Sequence, residues 1–388
     1  MRVAHLITRL IIGGAQENTI LNCEDLIHDY GDDVLLITGP TTGPEGSLMR
    51  RIETLPHHIV PSLIRAIRPI QDFQAYRQIK RLLAEFRPDV VHTHSAKAGI
   101  LGRLAARACD VPVIVHSVHG APFWPEQNPL IRDFYKRCER FAAGRCDAFL
   151  CVADAMTDLM ADAKIAPREK FTTVYSGMEV EPFRDSGRHR MAMRERLGFA
   201  PEHVVVGKIA RLFELKGHEF VIEAAEQVVR TCPNVRFLFV GDGLLTGRHR
   251  AEIERRGLRD FFVLTGLVQP EEIPAHLAAM DIVAHTSLRE GLARVLPQAL
   301  LSGKPVVSYD VDGAREVVIP NETGFLLPPK SITPLVDALV TLARDAALRG
   351  RLGATGCERF AERFDHHFMT ARIREIYGRL LEKSESKR

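Results

Sequence analysis

The side chains best suited to chemistry gather at two junctions in the second half of the chain. One runs Asp281-Ile-Val-Ala-His-Thr-Ser-Leu-Arg-Glu290-Gly291-Leu292-Ala-Arg-Val-Leu-Pro-Gln298. By pattern, residues 282–284 are a short buried strand, 287–291 a polar turn, and 291–301 an apolar helix closed by Gly303. Glu290 therefore falls at a strand-to-helix junction, where open α/β sheets bind ligands. The adjoining helix start offers N–H groups to an anion. Gln298 lies eight residues further on, about two helical turns, so both side chains can face one cleft. A plain βα unit with a solvated acidic loop would read the same way. The other junction is Ala210-Arg211-Leu-Phe-Glu-Leu-Lys216-Gly217. Arg211 presents a planar fork to phosphate oxygens and Lys216 a mobile point charge. Both precede a helix start, which together with the Glu290 junction describes a diphosphate site. Solvated surface cations are the alternative.

The first half carries a different set. Gly13 and Gly14 stand at a strand-to-helix turn, where paired glycines let backbone approach a ligand or adopt positive φ. They do not form G-x-G-x-x-G, so a nicotinamide-type site is not supported. Four histidines follow, His92, His94, His116 and His119. Period-two spacing puts His92 and His94 on one strand face. No carboxylate or cysteine stands at ligand spacing beside them, so no metal is expected. His119, at a strand end opening on a cleft, is the candidate for hydrogen bonding a substrate. His92 and His116 read as structural core residues.

These residues need elements to hold them. The 388 residues suggest two domains, and a hydrophobic content of 46% is enough for sizeable cores. A net charge of only +3 argues against a nucleic-acid binder. Seven scattered cysteines, with no C-x-x-C pair, read as reduced thiols in a cytosolic protein. No signal-peptide h-region and no run of 18 apolar residues appears, so the chain is expected to be soluble or to rest on a membrane surface. Strands and helices alternate throughout, as a doubly wound parallel sheet requires. Strands are expected at 3–8, 33–38, 89–94, 113–120, 147–152 and 171–175, with a loop at 41–46. The Gly- and Pro-bearing stretch 177–187 reads as a hinge. A second sheet then takes strands at 203–210, 236–240, 262–266, 282–285 and 306–309. Residues 50–145 hold sixteen Lys and Arg against eight Asp and Glu. Within them, segment 64–86 is Arg-rich and amphipathic, and 130–143 is a basic amphipathic helix. Both read either as solvated faces or as a surface on anionic lipid, with Leu63, Ile64, Ile67, Phe123 and Trp124 at the contact.

In this order the stretches resemble the retaining glycosyltransferases of family four, which have the GT-B fold. The matching pieces are Gly13-Gly14, Val91-His92-Thr93-His94-Ser95-Ala96-Lys97-Ala98-Gly99, Val118-His119-Gly120, Arg211-Leu212 with Lys216-Gly217, Val240-Gly241-Asp242-Gly243, Glu290-Gly291, and Asp312-Gly313-Ala314-Arg315-Glu316. The resemblance covers nearly the whole chain. It implies an α/β architecture of two Rossmann-like doubly wound domains facing a central cleft, at residues 1–180 and 190–363. A C-terminal helix, about 364–388, would return to the first domain.

The resemblance also implies roles. A nucleotide-sugar, with UDP-sugar the commoner donor, would be the substrate, and no cofactor or metal would be needed. Glu290 would engage the donor sugar's hydroxyls. Arg211 and Lys216 would hold the diphosphate as charge develops on the leaving oxygen. Gly13 and Gly14, with Gly291, Leu292 and Gln298, would bind the donor, and His119 would face sugar and acceptor. The family's second Glu, a ribose ligand, is replaced by Gln298, whose amide oxygen still accepts hydrogen bonds. The acceptor would be a glycan or a lipid-linked glycan, and the protein would work in the cytoplasm or at the inner membrane face. A sugar-nucleotide epimerase of the same fold and a silent sugar-nucleotide-binding protein are the alternatives.

Overall fold

The computed structural model describes residues 1–41, 46–125 and 127–386. Contacts divide the chain into two units, residues 1–178 with 364–388, and residues 179–363. The first unit is a seven-stranded parallel sheet in the order β3-β2-β1-β4-β5-β6-β7. Its strands are β1 (Arg2–Ile7), β2 (Asp33–Thr38), β3 (His57–Ile59), β4 (Val90–His94), β5 (Val113–Val118), β6 (Ala148–Cys151) and β7 (Phe171–Thr173). Its helices are α1 (Gly14–His28), α2 (Pro69–Phe86), α3 (Ala96–Arg107), α4 (Pro129–Ala143) and α5 (Asp154–Asp162). The second unit is a six-stranded parallel sheet in the order β10-β9-β8-β11-β12-β13. These strands are β8 (Val204–Ile209), β9 (Val235–Val240), β10 (Phe262–Leu264), β11 (Ile282–His285), β12 (Val306–Tyr309) and β13 (Gly324–Leu327).

Val-rich runs such as 113–115 and 204–206 form these strands because both sheet faces are covered, and β-branched side chains fill a pleated surface without alternation. Each sheet changes winding direction once, between β1 and β4 and between β8 and β11. Ligand crevices open at such switch points, at the carboxyl ends of the strands. Two edge strands, β3 and β13, carry too weak a pattern to be foreseen: β3 is three residues, all exposed. Residues 42–45 of the expected loop at 41–46 lie outside the described residues.

The C-terminal helix His366–Glu385 packs with the first unit. Met369, Ile373, Ile376 and Tyr377 join the core that Val3, Ile7 and Ile20 form on one sheet face. Asp32, buried at its end, accepts from the Met1 ammonium at 2.7 Å and from Arg374 Nε at 2.9 Å. Asp25 accepts from Thr370 Oγ1 at 2.6 Å and pairs with His366 Nδ1 at 2.8 Å.

Three local expectations are corrected. The helix expected at 291–301 spans only Val295–Leu301. Pro297 dictates this: it lacks an N–H and its ring excludes a carbonyl four residues back, so it is tolerated only within a first turn. In segment 64–86 the helix begins at Pro69, because the residue before a proline avoids the α region, and Arg68 is extended. Leu63 and Phe123 do not reach the surface at all. Leu63 is 0% exposed and closes the core with Val60, Ile79 and Leu83, and Phe123 is buried beneath the Lys136 ammonium.

Candidate active site

In the second unit the loop leaving β8 is locked in place by Gly217. Its φ is 68°, and a Cβ there would stand 1.9 Å from the carbonyl oxygen of Thr286, just past β11. Only glycine fits such an approach. The lock sets Lys216 Nζ 2.6 Å from Glu290 Oε1, with both side chains about four-fifths buried. The Glu290 N–H donates to Asp312 Oδ2 at 2.6 Å. His285, last in β11, bonds Ser308 Oγ through Nδ1 at 2.9 Å and turns Nε2 toward Glu290 Oε1, 3.7 Å away. Beneath the pair, Lys208 Nζ donates to Thr286 Oγ1 at 3.0 Å, and that hydroxyl donates to the Gly217 carbonyl at 2.6 Å.

Charge in this crevice is set by neighbours as much as by burial. Burial pushes the Glu290 carboxyl up, but Lys216 and His285 more than reverse it and hold the group well below the usual carboxylate range. Burial, then the nearby Lys216 ammonium, pushes Lys208 down to about 7. Burial also lowers His285, which stays neutral near pH 7. The result is a fixed carboxylate with a mobile ammonium on it. Lys216 has three N–H donors and spends one on Glu290, so the others can serve a phosphate.

Of the residues singled out in the sequence, the structure joins Lys216 to Glu290 across the β8–β11 switch point. Arg211 occupies the same loop, its guanidinium 5.2 Å from the Phe213 ring centroid. Gly291 accepts from the Gly313 N–H at 3.1 Å, and Leu292 is half-buried beside it. Gln298 is half-buried on the short helix. The two-turn spacing from Glu290 does not hold, because the intervening residues 291–294 are not helical. The anion site at that helix start falls with it, since seven residues align too few peptide dipoles. Lys208, Thr286, His285 and Ser308 were missed. A charged residue inside Val-Val-Val-Gly-Lys-Ile was the available signal for Lys208.

In the first unit the β1–β4 switch point is pinned by hydroxyls. Thr8 Oγ1 and Ser95 Oγ are 2.7 Å apart, and Thr8 Oγ1 accepts from Ala98 N at 3.2 Å, satisfying the first turn of α3. Ser95 has φ 60° and ψ 160°, a region glycine occupies readily and serine rarely does. Gly13 caps α1 with φ 173°, which is extended rather than left-handed, so the positive-φ reading of this turn is set aside. A Cβ at Gly13 would meet only the tip of the Gln16 side chain, at 2.8 Å. The fold thus makes little demand for glycine there.

His119, half-buried past the end of β5, contacts His94 Nδ1 through Nε2 at 3.0 Å. His94 Nε2 in turn lies 3.1 Å from His5 Nδ1. His92 is on the same face but bonds Tyr377 OH at 2.5 Å and Ser117 Oγ at 2.7 Å. His116 points to the other face, against Thr93 Oγ1 at 2.9 Å. Two groups of potential metal ligands occur among the described residues: His5, His92 and His94, and Asp25, His366 and His367. In the first, all but His5 Nε2 are hydrogen bonded within the protein. The second is the clasp that fastens the C-terminal helix.

Two family descriptions match the chain in order: Glycosyltransferase Family 4 over residues 12–182 and Glycosyl transferases group 1 over residues 190–359. UDP-Gal:alpha-D-GlcNAc-diphosphoundecaprenol alpha-1,3-galactosyltransferase of Escherichia coli is 28% identical over 353 residues, 90% of this chain and 89% of its own. Alpha-D-kanosaminyltransferase of Streptomyces kanamyceticus is 28% identical over 285 residues, 71% of this chain and 73% of its own. Anabaena HepE, crystallised in complex with UDP-glucose, superposes with a TM-score of 0.83 at 23% identity, over 97% of this chain and 99% of its own. Sucrose-phosphate synthase from Thermosynechococcus elongatus gives 0.84 at 18% identity, over 99% and 100%. These structures share the fold of two Rossmann-like parallel sheets. With one description matched on each sheet and relatives aligned across both, the chain belongs to glycosyltransferase family 4.

Proposed function

We propose that this glycosyltransferase moves a sugar from a nucleotide-sugar, with a UDP-sugar preferred, to a glycan or lipid-linked acceptor, retaining anomeric configuration and requiring no metal. The Lys216–Glu290 pair carries the reading. A carboxylate kept ionised in a crevice accepts sugar hydroxyls through charge-assisted bonds. The ammonium on it, with Arg211 in the same loop, meets charge developing on the leaving diphosphate. These cations take the part a divalent ion would otherwise play. In the first unit, Gly13, Gly14 and His119 are assigned to contacts with sugar and acceptor. The relatives support the donor class and the lipid-linked acceptor: the Escherichia coli enzyme is named for UDP-Gal and a diphosphoundecaprenol, and HepE was crystallised with UDP-glucose. Glycan or glycoconjugate biosynthesis is the corresponding setting.

The test is incubation with labelled UDP-sugars and a lipid extract, with and without EDTA. Label is expected in lipid or glycan, unaffected by the chelator. Isomerised free sugar would mean an epimerase, and binding without turnover a silent receptor. A loss of transfer on chelation, restored by Mg²⁺ or Mn²⁺, would overturn metal independence. A thermal-shift screen of donors then identifies base and sugar, because a bound ligand raises apparent stability by mass action.

The first unit supplies a membrane-facing surface to the same proposal, with its apolar contacts reassigned. Ile67, Ile70 and Phe73 are exposed at the start of α2, and Leu130, Ile131, Phe134 and Phe141 on α4. Arg65, Arg68, Arg77, Arg132, Arg137 and Arg145 lie among them in sequence. Between α2 and α3 runs a groove lined by Phe73, Tyr76, Leu101 and Leu104, with Arg107 and Arg145 at its rim. Apolar side chains flanked by arginines suit the boundary of an anionic bilayer. No helix among the described residues is long and apolar enough to cross a membrane.

A further inference from the structure

We infer that Asp25, His366 and His367 form a binding site for a divalent transition-metal ion of the zinc class, which fastens the chain where it returns from the second unit to the first. The site goes beyond the transfer reaction and does not depend on it. Its residues belong to the first unit, whereas Lys216 and Glu290 belong to the second.

Asp25 is buried on α1, and the two histidines open the C-terminal helix. Residues one position apart on a helix do not ordinarily face each other. Here the two ring centroids are 4.1 Å apart, and both rings turn Nδ1 toward Asp25. From Asp25 Oδ1, His366 Nδ1 lies 2.8 Å away and His367 Nδ1 3.5 Å. One ligand atom from each of the three residues falls within 4.8 Å of the other two. Around a tetrahedral zinc ion with bonds of about 2.0–2.1 Å, adjacent donor atoms stand roughly 3.3 Å apart, so small shifts suffice to close the site. Asp29 Oδ2, now 2.6 Å from His367 Nδ1, or a water would take the fourth position. A carboxylate oxygen only accepts, so each ring now presents Nδ1–H to its partner. A bound ion displaces that proton, and each ring keeps a single one on Nε2, the state in which imidazole is a ligand.

Two imidazoles and a carboxylate suit zinc, cobalt, nickel or copper, whereas magnesium and calcium favour oxygen ligands. The positive end of the helix does not stand against a cation unopposed, because Asp365 Oδ1 accepts from the His367 N–H at 2.8 Å and the Phe368 N–H at 3.3 Å. His367, 58% exposed, gives the ion a way in. The His5, His92 and His94 group has neither a carboxylate nor an exposed member. Place gives the site its purpose. The chain leaves the first unit after Met178 and re-enters it at Phe364. The two crossings lie side by side: the Met178 N–H donates to the Phe364 carbonyl at 2.8 Å, and the His366 N–H donates to the Met178 carbonyl at 3.2 Å. Gly177 packs so tightly there that a Cβ on it would stand 2.5 Å from His366 Cα. An ion on Asp25, His366 and His367 thus ties α1 to both crossings at once.

The experiment is calorimetric titration of Zn²⁺ into the full-length protein after chelator treatment and dialysis, with thermal midpoints measured alongside. One equivalent should bind and raise the midpoint, since the site exists only in the folded chain. His367→Gln changes an exposed side chain and should fold as the native protein does. It should weaken Zn²⁺ binding by at least about tenfold, because loss of even an outer partner of a metal ligand commonly costs that much. Asp25→Asn, which keeps shape and removes the charge, should do the same and serves as the second variant. Mg²⁺ should neither bind there nor shift the midpoint. Absence of saturable Zn²⁺ binding to the native protein would overturn the inference. So would binding of one equivalent that both variants leave unchanged, which would put the ion on other residues, and so would Mg²⁺ binding as tightly as Zn²⁺. No donor or acceptor is present in these titrations, so their outcome is independent of whether the proposed transfer reaction is found.

Discussion

At position 290 the decisive quantity is the charge on one carboxylate. Lys216 holds Glu290 ionised against the push of burial. Its folded value lies below the free value of 4.5, so the pair's contribution to stability is present above about pH 4.5 and is lost as the pH falls. Glu290→Gln keeps the shape and removes charge assistance. It should reduce sugar transfer more than it reduces affinity for bare UDP, measured by calorimetry; equal losses would place the residue on the nucleotide instead. Arg211→Ala should cost roughly 2–4 kcal/mol of barrier, as for loss of a positioned charge donor, with little change in thermal midpoint. Near-native turnover in that variant would remove Arg211 from the diphosphate. Lys208 carries the opposite sign. Burial drops it from 10.5 to about 7, so between those values the unfolded chain binds the extra proton and stability rises with pH. Below about pH 7 the cost of burial is present in full. Lys208→Met should therefore raise the thermal midpoint at pH 6.5, and the gain should shrink toward pH 9; Thr286 keeps its bond to the Gly217 carbonyl. A gain independent of pH would assign the effect to packing.

Elements are placed here by small residues and by proline. α3 lies close against the sheet because Gly99 and Gly102 face it. A Cβ at Gly99 would come 2.5 Å from His116 Cε1, and one at Gly102 would come 2.7 Å from Thr93 Cγ2. The His116 ring is fixed by Thr93 and cannot yield freely. Gly99→Ala should accordingly destabilise the first unit by ~1–3 kcal/mol, the usual penalty of overpacking, read as a lower urea midpoint. An unchanged midpoint would show that α3 can slide. The same helix buries Arg103, whose Nη2 donates to Glu139 Oε2 of α4 at 2.8 Å. Removing one partner of such a pair costs far more than the pair itself contributes.

Across the first unit as a whole, the charge excess of residues 50–145 gains meaning from the apolar side chains exposed among them. Each Lys or Arg near an anionic surface is worth about 1 kcal/mol. Vesicle sedimentation should recover the protein with anionic but not neutral lipid at low salt. Binding should weaken as the Debye length falls from ~10 Å at 0.1 M to ~3 Å at 1 M. Arg65→Glu with Arg68→Glu should release it, and Ile70→Asp should do so even at low salt, since Ile70 is 77% exposed and structurally undemanding. Equal recovery with both lipids would leave α2 and α4 as solvated faces.

The sequence by itself determined the alternation of buried strands with helices, and so the two parallel sheets, because a strand covered on both faces must be apolar throughout. It also singled out Arg211, Lys216 and Glu290, since cations and a carboxylate at strand ends are chemically conspicuous. Tertiary structure decided what those residues touch. Lys216 and Glu290 are 74 positions apart and meet only because β8 pairs with β11. His5, carrying no local signal, meets His94 for the like reason that β1 pairs with β4. Leu63 and Phe123 look like surface anchors in an arginine-rich stretch, yet Leu63 fills a core whose walls come from distant strands and helices, and Phe123 is buried under the Lys136 ammonium. Periodicity is a local property that a sequence displays directly. Which strands become neighbours is settled by crossovers of dozens of residues, and the contacts they create exist only in the folded chain.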